Sequence, residues 1–411
     1  MQQRTRHFLQ TLALASGVAV TLLLSSCGGG GDSSSSAAPA FPLSSSLANM
    51  CTPDGQKKYV RSYLDETYLW YNEIPSVTAA DFPTVPGYFN ALLVKTADAN
   101  GQPKDRFSAV LTTAAADALQ SLAPDAALSA GVPSALLSAS GKSVPLTTIV
   151  TSPNGRRVGY ILFNDHNAGA QDELIAAFQS LRSGGVSDLV LDMRYNTGGF
   201  LYVAQTAASM VTGPQSEGRT FEQLRYNNKR QAETAASTYV YSGKVQTAEK
   251  VYPTGTSLPQ LNLPRLYVLS SGQTCSASES IVNSLRGIDV DVILVGSTTC
   301  GKPYGFHRQD NCGLAFFAIE FQGFNAKNFG DYTTGIKATC PVADNFTTAL
   351  GSTAEPLLVG ALRHIDTGSC PPASATSQDA VSQGLAGLRS NAPPTALQPL
   401  DGRLLQPGLQ R

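Results

Sequence analysis

Two residues in the middle of the chain have the types and settings needed for nucleophilic catalysis. Ser276 follows an apolar strand predicted at Pro264–Gly272 and directly precedes a run typical of a helix. A serine at such a sharp turn can react where backbone N–H groups and the helix dipole stabilise a developing negative charge. Lys302 lies between Gly301 and Pro303, so a tight loop carries it rather than a helix face. A lysine can accept the serine proton if burial favours its neutral amine.

Ser276 also has an ordinary structural interpretation. Glu279 stands three residues after it, and this spacing is a capping box, which stabilises helix starts in proteins of every function. Gly198 and Gly199 favour the catalytic interpretation, because they follow a buried strand at the edge where ligands bind in open α/β sheets. Glycine there lets backbone N–H groups approach an oxyanion. Consecutive parallel strands end at one edge of a sheet, so we expect the Lys302 loop near Ser276.

The elements that must position these residues alternate between strands and helices from Arg157 onward. Such alternation specifies a layered α/β core. Residues 214–262 are polar and rich in Gln and Thr, which predicts a surface insertion. We predict strands at Val158–Asn164, Ser187–Arg194, Pro264–Gly272 and Val290–Gly296, and helices from Ala170 to Arg182, from Gly199 to Met210, from Ser276 to Gly287 and near Glu355–His364.

A small helical unit is predicted ahead of the core, over residues 51–110. The stretch Gln56–Ile74 places aromatic and aliphatic residues at helical spacing, and such a stripe is far more often buried in a core than bound to a ligand. Phe89, Leu92 and Leu93 indicate a second short helix.

The start of the chain has the order of an export signal. Arg4 and Arg6 precede an apolar run from Leu9 to Leu24, and small residues then lead to Cys27. The run is shorter than a membrane-spanning helix needs. Cys27 ends a stretch similar to the bacterial lipobox, so we expect residues 1–27 to be a lipoprotein signal and Cys27 to carry the lipid; ordinary secretion with a stray cysteine is the alternative.

The segments beside the signal and at the far end are low in complexity. Residues 28–50 begin with GGGGDSSSS, which is typical of a flexible tether, and Gly28 after the cysteine indicates, by resemblance, the outer membrane. Residues 369–411 are rich in Pro, Ser, Ala and Gln, so we expect a disordered tail.

Charge and cysteine content limit the partners. The net charge is −1 with no run of Lys or Arg, which gives no electrostatic case for nucleic acid. The four histidines show no HExxH spacing, so we expect no metal and no cofactor. Six of the seven cysteines follow Cys27 and predict up to three disulfides, with Cys300–Cys312 and Cys340–Cys370 as local closures. Cys275 is expected in a disulfide rather than as a thiol nucleophile.

Three ordered motifs together resemble the tail-specific, or C-terminal processing, serine peptidase family. They are LVLDMRYNTGG (Leu189–Gly199), TCSASE (Thr274–Glu279) and VGSTTCGK (Val295–Lys302). The resemblance implies an α/β fold with a layered, crotonase-like peptidase core and a mixed sheet over residues 156–368. It implies Ser276 as nucleophile, Lys302 as general base, and a backbone oxyanion hole at Gly198 or Gly199 with Ala277.

Two features depart from that family. Many members carry a glutamine four residues after the lysine, where this chain has Phe306. Members usually also carry a PDZ domain, and residues 111–155 are too few for one, so we interpret them as a short remnant in its place.

Asp165 and His166 end the strand that starts the core and could line the cleft, with His166 as an alternative base for the serine.

The resemblance implies a serine-type endopeptidase that hydrolyses peptide bonds of envelope polypeptides. With the predicted signal, it would be lipid-anchored at the bacterial outer membrane and face the periplasm. The alternative is a catalytically impaired homologue that binds peptides or other ligands as an envelope lipoprotein. No pattern in the sequence indicates an oligomeric state.

Overall fold

A computed structural model describes residues 41–121, 142–345 and 347–372. The predicted export signal, Cys27, most of the linker and nearly all of the tail lie outside these described residues. Within the described ranges, the helices are too short or too polar to span a bilayer.

The described part contains helices and strands in mixed order. The helices are α1 (Ser44–Leu47), α2 (Pro53–Thr67), α3 (Val85–Leu92), α4 (Thr113–Ser121), α5 (Ala170–Ser183), α6 (Leu201–Val211), α7 (Gln231–Ala236), α8 (Ala277–Gly287) and α9 (Pro356–Thr367). The strands are β1 (Ala109–Thr112), β2 (Leu146–Thr151), β3 (Arg157–Leu162), β4 (Asp188–Asp192), β5 (Thr220–Tyr226), β6 (Thr238–Val240), β7 (Arg265–Ser270), β8 (Asp291–Gly296), β9 (Tyr304–Gly305), β10 (Gln309–Asn311), β11 (Leu314–Phe317), β12 (Phe321–Phe324) and β13 (Cys340–Pro341).

A six-stranded mixed sheet forms the centre of the molecule, in the order β13-β8-β7-β4-β3-β2. Its strands are parallel except for β2, which pairs antiparallel with β3. The α/β prediction is confirmed, and the predicted core strands match β3, β4, β7 and β8. The parallel strands place their carboxyl ends at one edge of the sheet.

Helices cover both faces of this sheet. Successive strand side chains point to opposite faces, so Leu189 and Leu191 of β4 join the apolar cluster with α5, α6 and α8, whereas Val190 packs with α9. A strand buried on both faces is apolar throughout, which explains why β4 could be recognised in the sequence.

The N-terminal helices bury the predicted aromatic stripe. Tyr59 and Tyr63 of α2 lie with their ring centroids 6.1 and 6.3 Å from that of Phe316 in β11. Strand β1 pairs antiparallel with β11, and a disulfide joins Cys51 to Cys312. The core interpretation of the stripe is confirmed, although α2 ends at Thr67, earlier than the predicted end.

The interpretation of residues 214–262 as a surface insertion was wrong in part. Strands β5 and β6 lie within this segment and belong to an antiparallel sheet of order β6-β5-β12-β9. Phe221 and Tyr241 are fully buried in the main core. The segment contains few apolar residues among many polar ones, so its composition gave no indication of the strands.

The cysteine pairing was predicted correctly at one of two local closures. Cys340 is bonded to Cys370 as expected, but Cys300 is bonded to Cys275 instead of Cys312. Adjacent parallel strands bring the loops after β7 and β8 together, and this contact decides the partner of Cys300.

Candidate active site

Ser276 stands at the turn between β7 and α8 in a strained backbone conformation. Its φ of 56° and ψ of −113° lie in a region that residues with a side chain rarely adopt. Strain of this kind persists where the surroundings enforce it, often at functional positions. The residue is fully buried, and within the described part of the chain its Oγ accepts and donates no hydrogen bond of normal geometry.

The turn that carries Ser276 is fixed to the end of β4. The Cys275 N–H and the Ser278 hydroxyl both donate to the carbonyl oxygen of Asn196, each at 3.1 Å. The Thr274 hydroxyl donates to the Met193 carbonyl at 2.8 Å. These contacts hold the serine turn against the predicted glycine pair.

Both positions of that pair require glycine, because neighbouring residues approach the backbone too closely for a Cβ atom. A Cβ on Gly198 would lie 2.8 Å from the Cβ of Ser276, and its φ of 103° is unfavourable for other residues. A Cβ on Gly199, with a φ of 138°, would lie 2.9 Å from His166. The structure therefore brings Gly198 directly against Ser276 and Ala277.

The backbone N–H groups in this turn are not equally available. The Gly198 N–H donates to Asn196 Oδ1 at 3.0 Å. The Gly199 N–H takes no part in the bridge between Gly199 and His166. The Ala277 N–H belongs to the first turn of α8, where helices have no internal acceptor. Of the predicted oxyanion donors, the Gly199 and Ala277 N–H groups donate no hydrogen bond within the described part of the chain.

Lys302 lies fully buried in the loop between β8 and β9. Its Nζ sits 4.6 Å from the ring centroid of Phe306 and 5.0 Å from that of Phe107. Phe306 occupies the position of the family's glutamine and offers a ring face in place of an amide. Aromatic faces attract a cation, so two rings from different parts of the chain hold the lysine head group.

The carboxylate of Glu279 joins the serine turn to the lysine loop. It accepts the backbone N–H groups of Ser276, Lys302 and Gly301 at 2.9, 2.8 and 2.8 Å, and the Thr299 hydroxyl at 2.5 Å. Burial raises the pKa of Glu279 above its ordinary value, although these hydrogen bonds oppose the rise. Glu279 therefore does far more than cap α8.

Two further contacts fix the lysine loop. The Cys275–Cys300 disulfide, with a Cα–Cα distance of 5.2 Å, connects it to the serine turn. Arg106 donates through Nη2 to the carbonyl oxygens of Gly301 and Thr333, at 3.1 and 2.9 Å. Arg106 and Phe107 both come from the N-terminal unit, which thus contributes directly to the surroundings of Lys302.

His166 lies fully buried beside Gly199, with Nδ1 3.0 Å from Asn196 Oδ1. That oxygen also accepts the Gly198 N–H, so the hydrogen between His166 and Asn196 must belong to Nδ1. Burial lowers the pKa of His166 to about 3, against the opposing hydrogen bonds. The imidazole is therefore neutral at ordinary pH, with its Nε2 unprotonated.

Asp165 serves the turn before α5. Its Oδ1 accepts the Ser143 hydroxyl at 3.0 Å and the Asn167 N–H at 2.8 Å. The structure thus gives this predicted cleft residue a role in holding the chain that leads into His166.

Three contributors to the site were missed from the sequence. Glu279 was recognised only as a capping partner, although its place inside the TCSASE motif was a signal. Asn196 carried a similar signal in the motif that ends at Gly199. Phe107 gave none, because its contact with Lys302 crosses nearly two hundred positions of the chain and no local pattern reports it.

Two groups of potential metal ligands occur among the described residues. They are Cys275 with Glu279 and Cys300, and His364 with Cys340 and Cys370. In each group the two sulfurs are bonded to one another, so neither offers the thiolates that a metal site of this type needs.

The sequence matches two family models, one over the N-terminal helical unit and one over the peptidase core. Residues 157–315 match the model of peptidase family S41, and residues 55–109 match the S41 N-terminal domain. The chain belongs to peptidase family S41. The N-terminal match ends at β1, and the peptidase match contains the Ser276 turn and the Lys302 loop.

Relatives of this S41 chain include two named processing proteases. A carboxyl-terminal-processing protease of Picosynechococcus is 27% identical over 181 residues, covering 43% of this chain and 38% of the relative. The carboxy-terminal processing protease CtpA of Bacillus subtilis is 27% identical over 173 residues, covering 42% of this chain and 32% of the relative. The matched region thus spans about a third of the length of these relatives.

A solved structure confirms the S41 fold. A protein named as an S41 protease of Bacteroides fragilis superposes with a TM-score of 0.58 at 21% identity, covering 76% of this chain and 97% of that one. At this identity the likeness establishes the architecture alone. The architecture of this chain is therefore one that the solved protein shares.

Proposed function

We propose that this chain is a serine-type processing peptidase that hydrolyses peptide bonds of polypeptides in the bacterial envelope. The observation that carries the proposal is the joint fixation of Ser276 and Lys302 by the single carboxylate of Glu279. A structural serine at a helix start needs no such connection to a buried lysine. The processing-protease names of the matched relatives favour an enzyme over the non-catalytic binder.

The proposed reaction uses Ser276 as nucleophile and Lys302 as base. The Ser276 Oγ attacks the carbonyl carbon while its proton passes to the neutral Lys302 amine, and the Gly199 and Ala277 N–H groups stabilise the oxyanion. The C–N bond breaks as the lysine returns the proton to the leaving amine. Lys302 then takes a proton from a water molecule, whose oxygen attacks the acyl-enzyme ester, and returns the proton to Ser276 Oγ as the C–O bond breaks and the acid product leaves.

His166 is the less suitable base for this reaction. Efficient proton transfer needs a base whose pKa lies near the working pH, and burial holds the pKa of His166 at about 3. A lysine that is completely buried has the environment in which its neutral form is accessible.

The complete burial of Ser276 also means that neighbouring parts of the chain must move aside before a polypeptide can reach it.

The mechanism is tested on the purified full-length chain with an unfolded polypeptide such as casein. Ser276→Ala and Lys302→Met should each abolish cleavage, while Ser284→Ala, which removes a buried hydroxyl farther along α8, should retain it. Near wild-type turnover in Ser276→Ala or Lys302→Met would disprove the assigned role. Loss of cleavage in His166→Gln alone, with Lys302→Met active, would select the histidine as base.

Envelope anchoring through Cys27 is a separate part of the proposal. It rests on the lipobox-like stretch and on the glycine- and serine-rich residues that follow. Cys27→Ala should prevent incorporation of a labelled fatty acid and release the protein from the membrane fraction. Continued lipid labelling of this variant would show that Cys27 is not the anchor.

A further inference from the structure

The Cys275–Cys300 disulfide flanks both proposed reactive residues. Cys275 directly precedes Ser276, and Cys300 stands two positions before Lys302. The bridge therefore joins the turn that presents the nucleophile to the loop that presents the base. Within the described residues, the other two disulfides connect elements that carry neither residue.

The two segments lack the support of a sheet at this point. Strands β7 and β8 end at Ser270 and Gly296, so the residues that follow lie in loops beyond the parallel ladder. Their hydrogen bonds to each other include the Cys300 N–H to the Thr274 carbonyl at 3.1 Å, the Ser297 N–H to the Ser270 carbonyl at 3.0 Å and the contacts of Glu279. Loops move more readily than the elements they connect, and a covalent link restrains such motion directly.

Proton transfer between serine and lysine is sensitive to small displacements. A misplacement of about 1 Å costs on the order of a hundredfold in rate. The loop fixes the position of the Lys302 backbone, so a shift of the loop moves the side-chain amine with it. Cys275 is 1% exposed, so its end of the bridge is packed inside the site, whereas Cys300 is partly exposed.

We propose that the Cys275–Cys300 disulfide is a positioning element of the Ser276/Lys302 site and that peptidase activity depends on its oxidation. This inference rests on the proposed function. With the bridge intact, the loop that carries Lys302 is covalently tied to the turn that carries Ser276. With the bridge reduced, the loop keeps its hydrogen bonds and the aromatic contacts of Lys302 but has no covalent link to the serine turn.

The redox step is an ordinary thiol–disulfide exchange. A thiolate of a dithiol reductant attacks the sulfur of the partly exposed Cys300, and the Cys275 thiolate leaves. The second thiol of the reductant then closes its own disulfide and frees Cys300. Two electrons and two protons thus pass to the protein, which gains two thiols.

The test compares two double variants of the purified full-length chain. Cys275→Ser with Cys300→Ser removes the proposed positioning bridge, and Cys340→Ser with Cys370→Ser removes a bridge of similar local span. In the first variant kcat should fall roughly a hundredfold with KM within about threefold, while circular dichroism stays native. The second should keep kcat within about threefold.

A dithiol reductant should reproduce the loss in the wild-type chain and in the Cys340/Cys370 variant. It should have no further effect on the Cys275/Cys300 variant. Wild-type kcat in the Cys275/Cys300 variant, or equal inhibition of that variant by the reductant, would overturn the proposal.

A second measurement separates this inference from the proposed function. Hydrogen exchange of the Ser276 and Lys302 amides, which Glu279 protects, needs no catalysis. Loss of the bridge should accelerate exchange at both amides at least tenfold, even if the chain cleaves nothing. Unchanged exchange, or free thiols at Cys275 and Cys300 in the native protein, would refute the positioning role directly.

Discussion

The backbone N–H of Lys302 donates to the carboxylate of Glu279 at 2.8 Å. Glu279 lies in the first turn of α8, where it also caps the helix, and Lys302 lies in the loop after β8. This carboxylate oxygen also receives the Ser276 N–H, so one acceptor fixes the backbone at both proposed reactive residues. Cleavage chemistry in this chain should therefore be more sensitive to Glu279 than a helix-capping role would allow.

Glu279→Gln should reduce kcat by roughly a hundredfold, because an amide NH₂ would face donors where a carboxylate now accepts them. Leaving buried donors unsatisfied should also lower the free energy of unfolding by about 1–3 kcal/mol. Steady-state kinetics and urea unfolding measure the two effects. Glu173→Gln, which affects one backbone contact at Val144, is the matched control and should change kcat little. Normal kcat in Glu279→Gln would contradict the positioning role.

Phe107→Leu should shift the pH dependence of activity. The ring face favours the protonated amine of Lys302, and leucine keeps apolar volume without that attraction. A cation–π contact of about 0.5–1 kcal/mol corresponds to a downward shift of roughly half a pH unit in the point of half-maximal rate. Phe89→Leu, which alters the aromatic packing against Phe316, should leave that point unchanged. An upward shift in Phe107→Leu would contradict the cation–π interpretation.

Gly198→Ala should inactivate the chain and destabilise it more than an equivalent change elsewhere. Gly185 also has a positive φ, of 63°, but an added Cβ there meets open space. Gly185→Ala should therefore cost only the conformational strain, roughly 1–2 kcal/mol. Gly198→Ala adds a clash with Ser276 and should cost about 1–3 kcal/mol more. Equal stability of the two variants in urea unfolding would count against the close approach of the two turns.

His166 should make the fold less stable as the pH falls below neutrality. Its pKa is about 3 in the folded chain and near 6.5 when unfolded, so only the unfolded chain gains this proton between those values. The stabilisation is complete above about pH 6.5 and declines by roughly 1.4 kcal/mol per pH unit toward pH 3. His166→Gln should lose this part of the pH dependence in urea unfolding between pH 7.5 and 5.5. Parallel curves for the two proteins would argue against a buried neutral histidine.

The layered core could be predicted because its information is local. Each parallel strand is buried on both faces and reads as one apolar run, and each helix shows its own periodicity. Strand β5 lacked this signal, because Thr220, Glu222, Gln223 and Arg225 are polar although none of its residues is exposed.

The proposed reactive pair is named from its motifs alone, whereas the residues around it could not be identified from the sequence. Ser276 and Lys302 stand in short ordered segments, whereas Phe107 reaches the lysine only after β1 pairs with β11. The partner of Cys300 likewise depends on the adjacency of β7 and β8 and not on distance along the chain. Contacts that the tertiary fold creates leave no periodic trace in the sequence.

The pairing of β1 with β11 also sets an order of events during protein synthesis. Arg106 and Phe107 leave the ribosome early, yet β11 and Thr333, which they require, are made after Lys302. A nascent chain that has already exposed Ser276 therefore still lacks the completed lysine environment. Under the proposed function, the growing polypeptide can therefore cleave neither itself nor other polypeptides until almost the whole core has been translated.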